Sequence, residues 1–174
     1  MRGRIVGGME LLNPPTPVRG SDDAVEADGA PVLRDADEIL VRAAADENAA
    51  DEARERYRTE PMALLRADDR IAPLLAPGED VVAVRRSAVL ERREVPPGAE
   101  GQMGLVGDLY LTTRRLVLVG RRTVSFDLGV IAEAMLAGDQ LLLVMRDGQG
   151  ASLGVAQPRL LRVEIAAART AARD

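Results

Sequence analysis

The spacing of apolar residues divides the chain into a helical part followed by a strand-rich part. Between Ile39 and Tyr57, apolar residues recur every three or four positions, which is the period of an amphipathic helix. Asp35 and Glu38 stand three residues apart before this stretch, as in a helix-capping box. The pattern therefore predicts a helix over residues 35–58.

A shorter helix is predicted directly after the first. Thr59 can cap it, and Pro61 then occupies its first turn, where proline is favoured. This second helix ends near residue 68, and its apolar residues are Met62, Leu64 and Leu65. The two helices together define a helical segment over residues 35–76.

From Val81 onwards the pattern changes to the alternation that is typical of strands. The first and longest strand is predicted over residues 81–93, with Val82 and Val84 on one face and Arg85 on the other. Six shorter strands are predicted at 106–112, 115–120, 123–128, 131–137, 140–147 and 151–156, with turn residues between them. Seven strands joined by short turns predict an antiparallel meander.

A C-terminal helix is predicted to cover this meander. Pro158 occupies the first helical position, and the apolar stripe continues to about residue 173. We expect the hydrophobic core to combine strand residues with this stripe. Its predicted members are Val82, Val84, Leu109, Leu111, Leu116, Leu118, Phe126, Leu142, Val144, Leu161 and Ile165.

The stretch 107–118 reads Gly-Asp-Leu-Tyr-Leu-Thr-Thr-Arg-Arg-Leu-Val-Leu. It resembles the signature hairpin of GRAM domains, which belong to the pleckstrin-homology (PH)-like superfold, and the order of seven strands and a helix over 79–173 is also similar. The resemblance implies a curved sheet that binds lipid headgroups or protein segments, without catalysis. The predicted fold class is therefore mainly β with helices (α+β), a PH-like seven-stranded barrel or orthogonal sandwich with a C-terminal capping helix.

Three parts are predicted along the chain. Residues 1–34 contain four prolines and five glycines without sustained periodicity, which predicts a disordered acidic arm. The helical segment 35–76 follows, and the PH/GRAM-like domain occupies 77–174. Pro77 and Gly78 interrupt regular secondary structure and mark the boundary between the last two parts. The net charge also changes near this boundary, from −8 over residues 1–80 to +3 over residues 81–174.

Composition excludes most catalytic chemistry. The 174 residues include no His, Cys or Trp, and all 23 basic residues are arginines. An imidazole base, a thiol nucleophile, a Schiff-base lysine and the usual zinc ligands are therefore absent. The stretch Gly150–Gly154 matches a Gly-x-Ser-x-Gly nucleophile motif, but no histidine is present to activate the serine. We expect a protein that is not an enzyme and needs no cofactor or metal.

Paired arginines are the candidate binding residues for an anion or a lipid headgroup, because the forked guanidinium matches phosphate. The alternative is that they are solvated or paired with Asp108, Asp127 and Glu91. The candidates are Arg85, Arg86, Arg92, Arg93, Arg114, Arg115, Arg121 and Arg122. A second candidate set is the apolar stripe of the helical segment, which could dock a partner through Ile39, Ala43, Ala50, Tyr57, Leu64 and Leu65.

The leading functional hypothesis is a protein-interaction adaptor whose helical segment docks a protein partner, a second copy of the chain or its own barrel. The alternative is a peripheral membrane protein that binds anionic phospholipid through the turn arginines. Nucleic acid is not favoured, because the chain has only three aromatic residues and a pI near 5.0. The lack of an export signal or membrane-spanning run predicts a cytoplasmic location, and arginine without lysine is typical of GC-rich bacteria.

Overall fold

The computed structural model describes residues 30–92 and 104–172 of the chain. It contains two helices and seven strands, with a short 3-10 turn at Ala72–Leu74. We call residues 60–80, which connect the first helix to the first strand, the strap. The elements are α1 (Ala30–Thr59), β1 (Val81–Arg92), β2 (Leu105–Thr112), β3 (Arg115–Gly120), β4 (Thr123–Asp127), β5 (Ile131–Ala137), β6 (Gln140–Met145), β7 (Gly150–Gly154) and α2 (Pro158–Ala171).

The seven strands form one antiparallel sheet in the order β4-β3-β2-β1-β7-β6-β5. The predicted fold class of strands with a C-terminal helix is confirmed. β4 and β5 stand at the two ends of this order, so no strand pairing closes the sheet within the described residues. α2 packs on one face, which we call the inner face, through the buried residues Leu161, Ile165 and Ala168. The strap lies against the outer face of β1 to β3, where Ile71 is fully buried beside Val117.

Most of the predicted core is buried around α2. Val82, Leu109, Leu111, Leu116, Leu118, Leu161 and Ile165 belong to the main cluster, and the half-buried Phe126 packs against it. Val84 packs instead on the outer face beside the strap. In β6 the predicted inward residues are wrong by one position, because Leu141, Leu143 and Met145 are buried while Leu142 and Val144 are half-exposed. β6 is apolar at five consecutive positions, so alternation could not fix its face.

β1 contains two bulges that change which side chains face α2. The register with β2 shifts between Val81 and Ala83 and again between Arg85 and Ala88. Ser87 within the second bulge adopts a positive φ of 55°, which is rare for a residue with a side chain. As a result, Arg85 points to the inner face, while the next residue, Arg86, points to the outer face.

The helical segment differs from its prediction at both ends. α1 begins at Ala30, so its backbone is already helical at Asp35, where the sequence predicted the cap. The arm predicted over 1–34 otherwise lies outside the described residues. The short helix predicted to end near residue 68 is wrong, because that part of the strap is extended and Leu65 forms an isolated bridge with Val81 through an N–H to O hydrogen bond of 2.7 Å. Contacts with the sheet outweigh the local helical preference there.

None of the described helices has the length and apolar content needed to cross a membrane.

Candidate functional site

Arg85 is buried and forms an ion pair with a residue of α2. Its Nη2 donates to Glu164 Oε2 of α2 at 2.7 Å, and both side chains are about nine-tenths buried. Burial raises the pKa of Glu164, and the adjacent guanidinium acts in the opposite direction. Within the described part of the chain, Arg85 Nε is a buried nitrogen without a hydrogen-bond partner. This arginine joins β1 to α2 and is not exposed to an external anion.

Arg86 belongs to a polar cluster on the outer face, which we call the outer cluster and define as Asp68, Arg70, Arg86, Asp108 and Tyr110. Arg86 donates to Asp108 at 2.6 Å and to Asp68 at 3.1 Å. Tyr110 donates its hydroxyl to Asp68 at 2.8 Å, which with the Arg86 bond lowers the pKa of Asp68. Arg70 completes the cluster by pairing with Asp108 and donating to the Val119 carbonyl at 3.0 Å.

The outer cluster fastens the strap to the sheet. Asp68 and Arg70 belong to the strap, whereas Arg86, Asp108 and Tyr110 belong to β1 and β2. Asp68 also accepts hydrogen bonds from the backbone N–H groups of Arg70 and Ile71, which fold the strap into a turn. Each residue of the cluster therefore bonds another part of the same chain.

A second cluster binds the other end of the strap. Arg115 donates to both oxygens of Glu79, from Nε at 2.8 Å and from Nη2 at 3.0 Å. Thr112 donates its hydroxyl to Glu79 at 2.7 Å, and the Ala76 N–H donates at 2.9 Å. Burial alone would raise the pKa of Glu79, but these hydrogen bonds outweigh it and lower the pKa to about 2. Arg115 also donates to the Leu74 carbonyl at 2.6 Å.

These two clusters account for four of the six polar residues of the hairpin motif. Asp108, Tyr110, Thr112 and Arg115 all hold the strap, directly or through one neighbour. Gly107 serves a different purpose, since a Cβ there would lie 2.6 Å from the Val119 carbonyl oxygen of the neighbouring strand. The motif thus marks the docking site of a segment of its own chain.

The structure does not bring together the six candidate arginines whose side chains it describes. Arg114, Arg121 and Arg122 are exposed, and none forms an ion pair within residues 30–92 and 104–172. Arg114 precedes β3 and the other two follow it, so they lie at opposite ends of a six-residue strand, about 20 Å apart. Arg93 and the side chain of Arg92 lie outside the described residues.

The candidate docking residues separate into two groups. Ala50 is buried against α2, together with Ala53, and the half-buried Tyr57 packs beside them. Ala43 is half-buried, whereas Ile39, Leu64 and Leu65 are exposed by 63%, 61% and 44%. The second half of α1 therefore docks on the chain's own C-terminal helix, whereas the intramolecular occupant expected from the sequence was the barrel.

Asp46 fixes α1 to the start of α2. It is buried, and its two carboxylate oxygens accept the backbone N–H groups of Arg159 at 2.9 Å and of Leu160 at 3.0 Å. The backbone N–H groups in the first turn of a helix have no acceptor within the helix. Gln157, the N-cap residue of α2, makes no side-chain hydrogen bond to them, so Asp46 takes the role of the cap. Arg159 also donates to Glu47, with Nε and Oε2 2.8 Å apart.

The first half of α1 extends past the start of α2. We call residues 30–45 the overhang; they correspond to about 24 Å of helix. Ile39, Leu40 and Val41 lie in the overhang, and their exposed fractions are 63%, 67% and 69%. Ile39 belongs to the apolar stripe predicted from the sequence, whereas Leu40 and Val41 lie outside the stripe that continues towards Ala50 and were not predicted.

No family model matches the chain, and no curated protein matches it either. Among solved structures, the C-terminal domain of an unknown protein from Leishmania infantum is similar, with a TM-score of 0.45, 13% identity and coverage of 58% of this chain and 92% of the other. The Vps36 N-terminal PH domain is similar with a TM-score of 0.44 and 15% identity, over 64% of this chain and 92% of the other. The PH domain of USP37 is similar with a TM-score of 0.35 and 16% identity, over 50% of this chain and 95% of the other. Two of these three structures are PH domains.

Proposed function

We propose that this chain is a non-catalytic, PH/GRAM-like binding module that acts as a protein-interaction adaptor, with the overhang of α1 as its docking element. The observation that supports the proposal is the exposure of Ile39, Leu40 and Val41 on a helix that is anchored at its other end. Asp46 and Ala50 hold the second half of α1 on α2, so the first half is presented at a fixed place.

The arrangement of the three apolar side chains defines the shape of the partner. Successive residues of an α-helix point about 100° apart, so Ile39, Leu40 and Val41 cover about 200° of the helix surface. A flat surface contacts one side of a helix only, whereas a groove or a helical bundle surrounds it. Full burial of each side chain would contribute about 1.5 to 3 kcal/mol. The partner therefore offers an apolar groove or helices of its own.

The alternative, binding of anionic phospholipid, depends on fewer arginines than the sequence suggested. Arg85, Arg86 and Arg115 are paired with carboxylates. Basic clusters that bind anionic membranes commonly hold 4 to 8 residues, and among the candidates that the structure describes, the exposed pair Arg121 and Arg122 falls below that number. Sedimentation with anionic vesicles at low salt tests this alternative; it is excluded if the parent protein stays in the supernatant.

Three serine substitutions test the adaptor proposal. The variant Ile39→Ser, Leu40→Ser, Val41→Ser alters only exposed positions, so we expect normal folding. Its control is Ala44→Ser, Ala45→Ser, which changes exposed small residues on the same helix. Partners captured by the full chain, or its self-association in sedimentation equilibrium, should be lost in the first variant and kept in the control. Equal capture and equal association by all three proteins would contradict the proposal. A truncation at Pro77 would remove most of the strap, which packs on the sheet, and could destabilise the fold. Substitution is therefore the preferable test.

A further inference from the structure

The outer face of the sheet is covered over one half only, in the part of the chain that the structure describes. The strap covers β1 to β3, where Ile71 and Val117 are buried together. On the other half, the outward apolar side chains belong to neither of the two clusters of buried residues that pack on the sheet. We call this half the bare face, and its apolar residues are Val89, Val106, Met135, Leu142 and Val144.

Strand pairing places these side chains next to one another. Val89 of β1 stands opposite Val106 of β2, and Leu142 of β6 stands opposite Met135 of β5. Directly opposed residues of antiparallel strands share a face, with their Cβ atoms about 5 Å apart. Val106 is 60% exposed and Met135 is 37% exposed, so apolar surface reaches solvent on both sides of the bare face.

β6 has the sequence of a strand that is covered on both faces. Leu141, Leu143 and Met145 are buried in the core, whereas Leu142 and Val144 point to the bare face and are half-exposed. An antiparallel strand with one face in water normally alternates apolar and polar residues. The continuous apolar run therefore indicates a second packing partner on the outer side, which the described part of the chain does not supply.

The shape of the bare face matches one helix. Larger side chains stand on both sides of β7, with Val89 on β1 and Leu142 on β6. β1 and β6 are two strand spacings apart, or about 9.6 Å, which is close to the diameter of an α-helix, about 10 Å. The outward residues of β7 between them are small enough to let a helix approach, namely Gly150, Ser152 and Gly154.

The charged side chains of the bare face are acidic. Among the outward positions that the structure describes on β5, β6, β7 and β1 from Val89 onwards, the charged residues are Glu91 and Glu133, and both are exposed. Glu91 is on β1 and Glu133 is on β5, three strand spacings or about 14 Å apart, with β7 between them. A helix on β7 meets a carboxylate on each flank. The bare face therefore favours a ligand with basic flanks and repels an anionic membrane.

We propose that the bare face binds an amphipathic helix of a partner protein, with its apolar stripe along β7 and basic residues on both flanks. The stripe packs on Leu142 and Val144, and the basic side chains pair with Glu91 and Glu133. The contact continues the interface that the strap already forms on the same face of the sheet. β7 spans five residues, or about 17 Å, so the interface has the small size that is typical of transient complexes. It is a second binding surface, separate from the overhang.

A designed helical peptide of about five turns is the probe. Leucine at every third or fourth position forms one stripe, lysine flanks the stripe on both sides, and alanine fills the other positions. One control peptide has glutamate in place of lysine, and another has the same composition with the leucines dispersed around the helix. In fluorescence anisotropy we expect the lysine peptide to bind and both controls to bind at least tenfold more weakly. The carboxylates repel the first control, and the second has no stripe.

Two substitutions of Gly154 test where the helix lies. A Cβ added at Gly154 lies 3.6 Å from Val89 Cβ, which is an ordinary contact distance, so neither substitution displaces the sheet. Gly154→Leu fills the space above β7 and should weaken binding of the lysine peptide at least tenfold, whereas Gly154→Ala should weaken it less than threefold. Thermal unfolding verifies that each variant is folded. Leu142→Thr, at a half-exposed position, replaces Gly154→Leu if that variant does not fold.

Paired neutralisations test the acidic flanks. Glu91→Gln with Glu133→Gln removes both carboxylates of the bare face. Glu52→Gln with Glu60→Gln makes the same change of net charge at exposed positions outside the sheet. At low salt, the first variant should lose at least tenfold in affinity for the lysine peptide, and the second less than threefold. Amide resonances of β6 and β7 should shift when the lysine peptide is added to the parent protein.

Several outcomes would overturn the proposal. One is no binding of the lysine peptide, a second is equal binding of the dispersed peptide, and a third is equal weakening by the two Gly154 variants or by the two neutralised pairs. Self-association in sedimentation equilibrium that Gly154→Leu abolishes would also refute it, because the occupant would then be a second copy of the chain. The serine variant at residues 39–41 should retain peptide binding, so that a failure of the overhang proposal and a failure of the bare-face proposal are distinguishable.

Discussion

Replacement of Asp46 by alanine is expected to destabilise the protein through a helix that lies 113 positions further along the chain. The carboxylate is only 3% exposed and accepts both Arg159 N–H and Leu160 N–H. Loss of a helix N-cap costs about 0.5 to 2 kcal/mol, and hydrogen bonds to a charged group contribute about 1.5 to 3 kcal/mol each. Because water can reach part of the exposed amides in the variant, we expect a net loss of about 2 to 3 kcal/mol.

Urea unfolding followed by far-UV circular dichroism measures this loss. With an unchanged slope, a loss of this size lowers the midpoint by about 1 to 2 M. Asp46→Asn keeps one acceptor and should lose about half as much. Asp51→Ala, at an exposed position of the same helix, should change the free energy of unfolding by less than about 0.5 kcal/mol. If Asp46→Ala were no more destabilising than Asp51→Ala, the carboxylate would not cap α2.

Two further substitutions test the contacts of the hairpin motif. Glu79 has a folded-state pKa of about 2 against 4.5 in the unfolded chain, so its contribution to stability is complete above pH 5 and disappears as the pH falls towards 2. Glu79→Gln should therefore cost about 2 kcal/mol at pH 7, after allowance for solvent screening, and the difference from the parent in urea unfolding should vanish near pH 2. Gly107→Ala places a Cβ 2.6 Å from a backbone oxygen and should cost at least about 2 kcal/mol, whereas Gly129→Ala, with no atom within 4 Å of the added Cβ, should leave the melting temperature unchanged.

Strand positions were predictable because turn residues and alternation are local signals. The hairpin at residues 107–118 and the seven strands follow from such signals, and so does α2. β6 was assigned to the right strand but to the wrong face, since an apolar run such as Leu141–Met145 carries no alternation. The strap was assigned to a helix because its partners are distant in sequence. Asp68 and Tyr110 are separated by 42 positions, so no local pattern records their hydrogen bond.

The opposite orientations of Arg85 and Arg86 could have been predicted from the sequence. Neighbouring residues of a strand point to opposite faces, so Arg85 and Arg86 could not both contact one headgroup. Asp108, one of the partners named from the sequence, pairs with Arg86, whereas Glu164 on α2 and Asp68 on the strap were not identifiable from spacing. Only the packing of these elements on opposite faces of β1 brings the opposite charges together.

The cap on α2 also sets an order of events during synthesis. Asp46 leaves the ribosome long before Arg159 and Leu160, whose amides it binds. At about 5 to 20 residues per second, the ribosome needs roughly 6 to 23 s to make the 113 intervening positions. Throughout that interval the alanine face of α1 around Ala50 and Ala53 has no helix to cover it. The nascent chain thus carries an undocked helix until α2 has been made, and a chaperone that recognises such a helix has that time in which to bind it.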